Sequence, residues 1–164
     1  MEDLVETVIE DARWQAAGLG TLVAPAVAAS FAELGLDPAE FTLCVMGCDD
    51  ARIALLNAEF RGKPVPTNVL SWPTWDLSAE TEGDAPDAPQ PGEDESLGDI
   101  ALAYETCARE AAEQDKPLAD HVTHLVVHGL LHLLGYDHLR DGDAARMEGL
   151  EVRILARLGL SDPY

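Results

Sequence analysis

Apolar and polar positions follow two different periods along this chain, and each period predicts a different kind of element. Alternating or compact β-branched apolar runs predict strands at residues 4–9, 41–47, 67–72 and 97–104. Ala- and Leu-rich or helically spaced apolar segments predict helices at residues 20–34, 51–60, 105–114, 118–134 and 143–158. Strands come early and helices late, so the pattern indicates a mixed α and β fold.

The predicted helix at 118–134 carries the clearest boundary signals. Pro117 precedes it, where a first helical turn tolerates proline. From Leu125 onward the helix is apolar almost all round, which is typical of a buried helix. Gly135 follows as a natural left-handed residue, so we expect the chain to turn there.

Residues 76–95 interrupt these patterns. They contain eight acidic residues, three prolines and no lysine or arginine, and no apolar periodicity. This composition predicts a flexible acidic loop. The chain has 164 residues, of which 47% are apolar, so we expect one domain over residues 1–164 that carries this loop.

Composition limits the partners and the compartment. The formal net charge is −21, which taken alone argues against a nucleic-acid partner, because phosphate binding favours lysine and arginine. No run of 18 apolar residues occurs, and the first six residues are acidic rather than basic, so we expect no membrane span and a cytoplasmic location. Cys44, Cys48 and Cys107 are too few and too irregularly spaced for a disulfide framework and are expected to be reduced, buried thiols.

All five histidines lie between positions 121 and 138. On a helix, His128 and His132 are about 40° apart in azimuth and ~6 Å apart along the axis, so they can share one ion. The turn at Gly135 then returns the chain and presents His138 as a third nitrogen. Three imidazoles leave a fourth tetrahedral position for water, which is the arrangement of a catalytic zinc. The alternative, a set of hydrogen-bonded core histidines, would bury several polar rings with few obvious partners.

Two histidines remain outside this set. His124 also precedes His128 by four residues, so this pair is an alternative ligand pair. The turn at Gly135 brings the chain back near the other end of the helix, which favours His138. We expect His124 either to hydrogen-bond to the ligands or to pack, and His121 to be an ordinary surface or packing residue.

The spacing HxxxHxxGxxH also occurs in metzincin proteases. Those enzymes carry a general-base glutamate directly after the first histidine, where this chain has Gly129. Hydrolysis of a substrate other than a peptide is therefore favoured.

Arg61 and Lys63 are the only basic residues between Arg52 and Arg109. Isolated cations beside a predicted strand suit an anionic group. A solvent-exposed pair at a helix end, where cations are favourable, is the other interpretation and on chemistry alone the better one.

Together these segments resemble the YbeY family of bacterial rRNA-maturation endoribonucleases. The resemblance rests on residues 124–138 and 61–73, on Leu97-Gly98-Asp99-Ile100, and on a trailing helix with Met147, Glu148 and Glu151. It covers about half of the chain. In one respect the chain departs from the pattern, because Asn68 stands where many members carry Asp.

The resemblance implies an α+β fold with a small mixed sheet and a zincin-like metal helix. It implies one zinc ion held by His128, His132 and His138, with Arg61 acting near the metal. The implied activity is cleavage of single-stranded RNA in ribosomal RNA maturation, including the 3′ end of the small-subunit RNA, and in ribosome quality control. Ribosomal RNA and ribosomal proteins are then the expected partners.

The acidic charge keeps two other functions open. One is a zinc hydrolase that acts on a non-nucleic substrate, and the other is a non-enzymatic ribosome-assembly factor with a structural metal. An RNA-binding surface on such an acidic chain has to be local, near Arg61, Lys63 and Arg140.

Overall fold

A four-stranded mixed sheet lies at the centre of the computed structural model, which describes residues 4–92 and 95–164. Its strands are β1 (Val5–Ile9), β2 (Thr42–Cys48), β3 (Val69–Pro73) and β4 (Ser96–Ala103). The spatial order is β1-β2-β4-β3. The first three strands in this order are parallel, and β3 runs antiparallel to β4 at the edge. The α+β class with a small mixed sheet is thus confirmed.

Six α-helices accompany the sheet within the described residues. They are α1 (Ala12–Ala16), α2 (Leu19–Leu34), α3 (Asp50–Arg61), α4 (Tyr104–Glu113), α5 (Leu118–Leu133) and α6 (Asp141–Arg157). Every predicted strand and helix is present, with ends shifted by at most two residues. The pattern missed α1 and a 3-10 turn at Pro38–Glu40, because elements of three to five residues are too short to show a period.

Alternate residues of the two central strands supply two separate cores. Val45 of β2 and Leu102 of β4 face the larger core, together with α2, α5 and α6. Their neighbours Met46 and Ala101 face the opposite side, where α3 packs through Ile53. Because side chains alternate along a strand, one sheet serves both layers. The prediction that α5 is a buried helix is confirmed, since it contacts β3, β4, α2, α4 and α6.

Pro73 is the last residue of β3, one position beyond the predicted end of this strand. It lies opposite Gly98 on an edge strand, where a missing N–H is tolerated. Gly98 has φ +135°, and a Cβ there would lie 2.2 Å from the carbonyl oxygen of Trp72. The close approach of the two strands therefore requires glycine at this position.

The three cysteines are free thiols, as predicted. Cys48 and Cys107 are buried, but Cys44 is only half-buried because it lies on the less covered face of β2. Within residues 4–92 and 95–164, no helix is long and apolar enough to cross a membrane.

Residues 76–92 contain no helix or strand, and they pack against the start of α6. The guanidinium of Arg140 donates to the carbonyl oxygens of Ala79 and Glu80, each at 3.0 Å. The Gly83 amide donates to Asp143 at 2.9 Å, and the Leu77 side chain is buried. Glu93 and Asp94, the end of the predicted acidic loop, lie outside the described residues, as do residues 1–3. The flexibility of this loop stays a prediction.

Candidate metal centre and the cleft beside it

Three histidine side chains meet at the C-terminal end of α5. The candidate ligand nitrogens of His128, His132 and His138 all lie within 4.8 Å of one another. The ring centroids of His128 and His132 are 4.6 Å apart, and those rings lie 5.3 Å and 5.1 Å from the ring of His138. The structure thus brings together the three residues that the spacing predicts.

The turn that delivers His138 depends on Gly135. This residue has φ +97°, and its amide donates to the carbonyl of His132 at 3.1 Å. A Cβ at this position would lie 2.7 Å from the carbonyl carbon of Leu77. Glycine therefore allows both the left-handed turn and the close passage of the acidic loop over it.

Hydrogen bonds fix the orientation of the two helical imidazoles. Nδ1 of His128 lies 2.9 Å from Oε1 of Glu151, and Nδ1 of His132 lies 3.0 Å from the carbonyl oxygen of Tyr136. A carboxylate and a carbonyl only accept, so each Nδ1 carries a proton, and in a neutral ring Nε2 then keeps a free lone pair. The two Nε2 atoms are 3.1 Å apart.

Two acceptor lone pairs this close repel each other unless a proton or a metal cation lies between them. Nitrogens bound to a tetrahedral zinc at about 2.0–2.1 Å are roughly 3.3 Å apart. Burial, followed by the proximity of His128 and His138, lowers the pKa of His132 to about 4, so this imidazole is neutral at pH 7. The chemistry and the spacing of these donors fit a divalent transition metal.

Glu151 of α6 holds the far side of this centre. Its side chain is fully buried, and its Oε1 accepts from His124 and from His128, each at 2.9 Å. The Tyr164 hydroxyl donates to Oε2 at 2.6 Å. Burial alone would raise the pKa of Glu151, but these three hydrogen bonds outweigh it and hold the pKa at about 2.

Reasoning from spacing alone missed the role of Glu151. The residue entered only through the family resemblance, because the contact joins two helices and leaves no periodic signal. His124 makes no direct hydrogen bond to a candidate ligand; it shares with His128 the carboxylate of Glu151, which orients the His128 ring. His124, His128 and Glu151 form a second group whose ligand atoms are close enough to hold a metal ion. N–H···O hydrogen bonds from the two histidines to Glu151 account for these short distances.

His121 lies apart from the metal candidates and is buried, so a surface position for it is wrong. Its Nε2 lies 2.9 Å from Oε1 of Glu110. The Nδ2 of Asn68 donates to the same carboxylate oxygen at 2.9 Å. An aspartate at position 68 would offer no such donor to Glu110, which gives a physical reason for asparagine here.

Gly129 occupies the place where a metzincin would carry its general base. A Cβ at Gly129 would lie 3.1 Å from the Ile100 side chain and 3.2 Å from Oγ of Ser71. This position of α5 therefore faces β3 and β4. A side chain at this position would require Ile100 or Ser71 to shift by a few tenths of an ångström.

A cleft of about 510 Å³ opens beside His132. Arg61, the last residue of α3, also lines it. The Arg61 side chain is exposed, and no hydrogen bond or ion pair to another described residue holds its guanidinium. The remaining lining comes from Ser71, Pro73, Thr74, Trp75, Asp76, Leu77, Ser78, Gly135, Tyr136 and Asp137.

The distribution of charge around this cleft is uneven. Arg61 is the single lysine or arginine among the described lining residues, beside Asp76 and Asp137. Lys63 does not line the cleft. The sequence predicts that Arg140 contributes to an RNA-binding surface. Instead, its guanidinium contacts Asp143 and the acidic loop.

Comparison with known proteins places these features in a family. The family described as "Endoribonuclease YbeY" matches residues 6–159. A protein named Endoribonuclease YbeY from Dinoroseobacter shibae is 60% identical over 98% of this chain and 90% of its own length. Proteins of the same name from Ruegeria pomeroyi and Cereibacter sphaeroides are each 59% identical, over 98% and 100% of this chain and 97% and 100% of their own lengths.

The solution structure of TM1509 from Thermotoga maritima has the same fold. It superposes with a TM-score of 0.56 over 97% of both chains, at 20% sequence identity. The extent of the family match and the high identity of the relatives lead to one conclusion: the chain belongs to the YbeY endoribonuclease family.

Proposed function

We propose that this protein is a zinc-dependent endoribonuclease that cleaves single-stranded RNA during ribosomal RNA maturation. The observation that carries the proposal is the grouping of three imidazoles, two of them with Nε2 atoms 3.1 Å apart, beside a cleft that Arg61 also lines. The names of the relatives support RNA as the substrate.

His128, His132 and His138 would hold the metal. Three protein ligands are the number found in catalytic zinc sites. When bound, zinc supplies a Lewis acid for phosphate oxygens and water. Glu151 and the Tyr136 carbonyl keep the imidazoles in the tautomer and orientation that present Nε2 to the ion.

Arg61 would contact the phosphate. Its guanidinium carries two parallel donors that match two phosphate oxygens, and it is not occupied by another described side chain. Charge accumulates on these oxygens as the phosphodiester is attacked, so a fixed cation stabilises the transition state more than the ground state.

The place of this reaction is part of the same proposal. We assign it to the 3′ end of the small-subunit RNA and to ribosome quality control, in the cytoplasm, with ribosomal RNA and ribosomal proteins as partners. The support is the family resemblance. A net charge of −21 favours delivery of the RNA by a larger assembly over capture from solution.

One specific observation favours a second candidate, a zinc hydrolase of a non-nucleic substrate. Asp76 and Asp137 line the same cleft as Arg61 and would repel additional phosphates. A structural metal in a non-enzymatic factor is less favoured, because three protein ligands beside an open cleft leave a coordination position for water or substrate.

Elemental analysis and RNA cleavage on one preparation test the proposal. We expect about one zinc per chain after purification without chelator, cleavage of single-stranded RNA, and loss of cleavage on chelation with recovery on adding zinc. His132→Ala should abolish tight zinc binding. His121→Ala, on the same helix but bonded to Glu110, is the matched control and should keep its zinc.

Two outcomes would contradict the proposal in different ways. Purified protein with no bound transition metal would remove the metal centre. Full zinc content without cleavage of any single-stranded RNA would leave the metal centre in place and favour the second candidate.

A further inference from the structure

Trp75 is an exposed indole at the mouth of the active-site cleft. It is 44% exposed and lines the same cleft as Arg61 and His132. The other two tryptophans pack edge to face against aromatic rings: Trp14 against Tyr104 at 5.3 Å, and Trp72 against Phe60 at 5.4 Å. Within residues 4–92 and 95–164, the Trp75 ring has no aromatic partner of this kind.

The backbone on both sides of Trp75 is fixed. The amide of Thr74 donates to the carbonyl of Leu97 at 3.1 Å, which ties the preceding residue to β4. The side chain of Leu77, two residues later, is buried, and the Leu77 carbonyl group lies against the turn at Gly135. An exposed aromatic ring on a fixed backbone meets the requirement of a preformed binding surface, because little ordering remains when a ligand arrives.

We propose that Trp75 is a stacking platform for one nucleobase of the RNA, next to the phosphate that Arg61 contacts. This inference rests on the proposed function and names the part of the substrate that the cleft binds. The cleft volume of about 510 Å³ lies within the range of roughly 300–1,000 Å³ that is typical of small-ligand sites. The space beside the candidate metal centre is therefore of a size that takes a nucleotide.

Charge explains why a stacked base matters in this protein. Most proteins obtain their affinity for RNA from phosphate contacts, but this chain has a net charge of −21, and Asp76 and Asp137 line the cleft. Stacking on an indole adds affinity without needing a cation, and every base has a face that can take part. Bases of a duplex are already stacked and paired, so this contact also selects single-stranded RNA.

The test combines protein variants with base deletions in the RNA. Trp75→Ala should raise the KM for a single-stranded hexanucleotide about 10-fold with little change in kcat, and Trp75→Phe should restore most of the loss. In the wild type, an abasic residue at one position of the RNA should raise the KM by a similar factor. In Trp75→Ala that penalty should disappear, because the partner of the missing base is gone. Leu55→Ala is the control, since Leu55 is 65% exposed on α3 and does not line the cleft.

Binding of a 2′-O-methyl hexanucleotide to the zinc-loaded protein, with gel electrophoresis after the titration to verify that the strand is intact, separates this inference from the proposed function. In one outcome, the wild type cleaves RNA while Trp75→Ala keeps the wild-type KM and the wild-type penalty for an abasic residue. That result would overturn the stacking site and leave the nuclease activity in place. Binding that depends on Trp75 without any cleavage would keep the stacking site and contradict the nuclease activity. A fall in zinc content or melting temperature in Trp75→Ala that accompanies lost binding would make Trp75 structural and overturn the platform.

Discussion

Arg61 and Glu151 show how the surroundings of a single charged side chain decide its role. Arg61 is exposed and holds no described partner, so its donors are free for a ligand. Glu151 is fully buried and accepts from three side chains, so its charge is used inside the protein. The first suits contact with substrate and the second suits orientation of a metal ligand.

Replacing Arg61 tests the contact with substrate. Arg61→Ala should reduce RNA cleavage by about 10²–10³, by analogy with the loss of one oxyanion donor, and Arg61→Lys should recover it only in part. Lys63→Ala is the matched control, because Lys63 is an exposed cation that does not line the cleft. Zinc content and melting temperature should stay at the wild-type values. A fully active Arg61→Ala protein would exclude Arg61 from the reaction.

Replacing Glu151 tests the orientation of His128. Glu151→Gln keeps the shape of the side chain but replaces the carboxylate that accepts a hydrogen bond from His128 with a neutral amide. Loss of such a partner weakens metal binding about 10–100-fold, so we expect a loss of zinc affinity in this range. Competition with a chelating dye measures the zinc dissociation constant directly. Glu148→Gln, exposed on the same helix, should leave that constant unchanged. Equal zinc affinities in both variants would contradict the role given to Glu151.

At the scale of the element, the metal centre depends on how α5 ends more than on how long it is. The helix places His128 and His132 on one face, and the turn at Gly135 then brings His138 to them. The same turn lies against the backbone of Leu77. The turn therefore joins the third imidazole, the helix end and the acidic loop in one contact.

Alanine substitutions at two glycines separate the effect of the contact between Gly135 and Leu77 from the effect of backbone strain. Gly135 and Gly159 both have positive φ, but a Cβ at Gly159 would have no neighbour within 4 Å. Gly159→Ala should lower the free energy of unfolding by about 1 kcal/mol and leave zinc affinity unchanged. Gly135→Ala should lower the free energy of unfolding by more than Gly159→Ala does, and it should weaken zinc binding, because the loop or the turn has to move.

Thermal unfolding and zinc titration of the two variants measure these effects side by side. Similar losses of stability in both would show that the loop yields easily to an added methyl group. In that case the packing of Leu77 on Gly135 would not support the metal centre.

At the scale of the whole molecule, the acidic charge limits how RNA is bound. Each phosphate contact with single-stranded RNA contributes a slope of about −0.7 to the dependence of log K on log salt concentration. Arg61 is the one lysine or arginine among the described residues that line the cleft, so a single phosphate contact should give a slope of about −0.7. Anisotropy titrations with a short single-stranded RNA at several salt concentrations measure it. A slope steeper than about −4 would require a basic surface that the described residues do not provide.

The sequence by itself determined the elements and the metal candidates. Strand and helix periods are local, so they located every strand and each helix longer than five residues. The grouping of His128, His132 and His138 also follows from local geometry, because i,i+4 spacing and a glycine turn act within eleven residues. Recognition of the family added Arg61, whose chemistry alone favoured an ordinary surface cation.

Only the tertiary structure decided which residues serve these candidates. Glu151 reaches His128 from another helix, Arg61 and Trp75 meet His132 across a cleft, and Arg140 is taken up by the acidic loop. Such contacts join residues far apart in the chain and depend on how helices and loops pack on the sheet. Periodicity reports which face of an element is buried, but it does not report what that face meets.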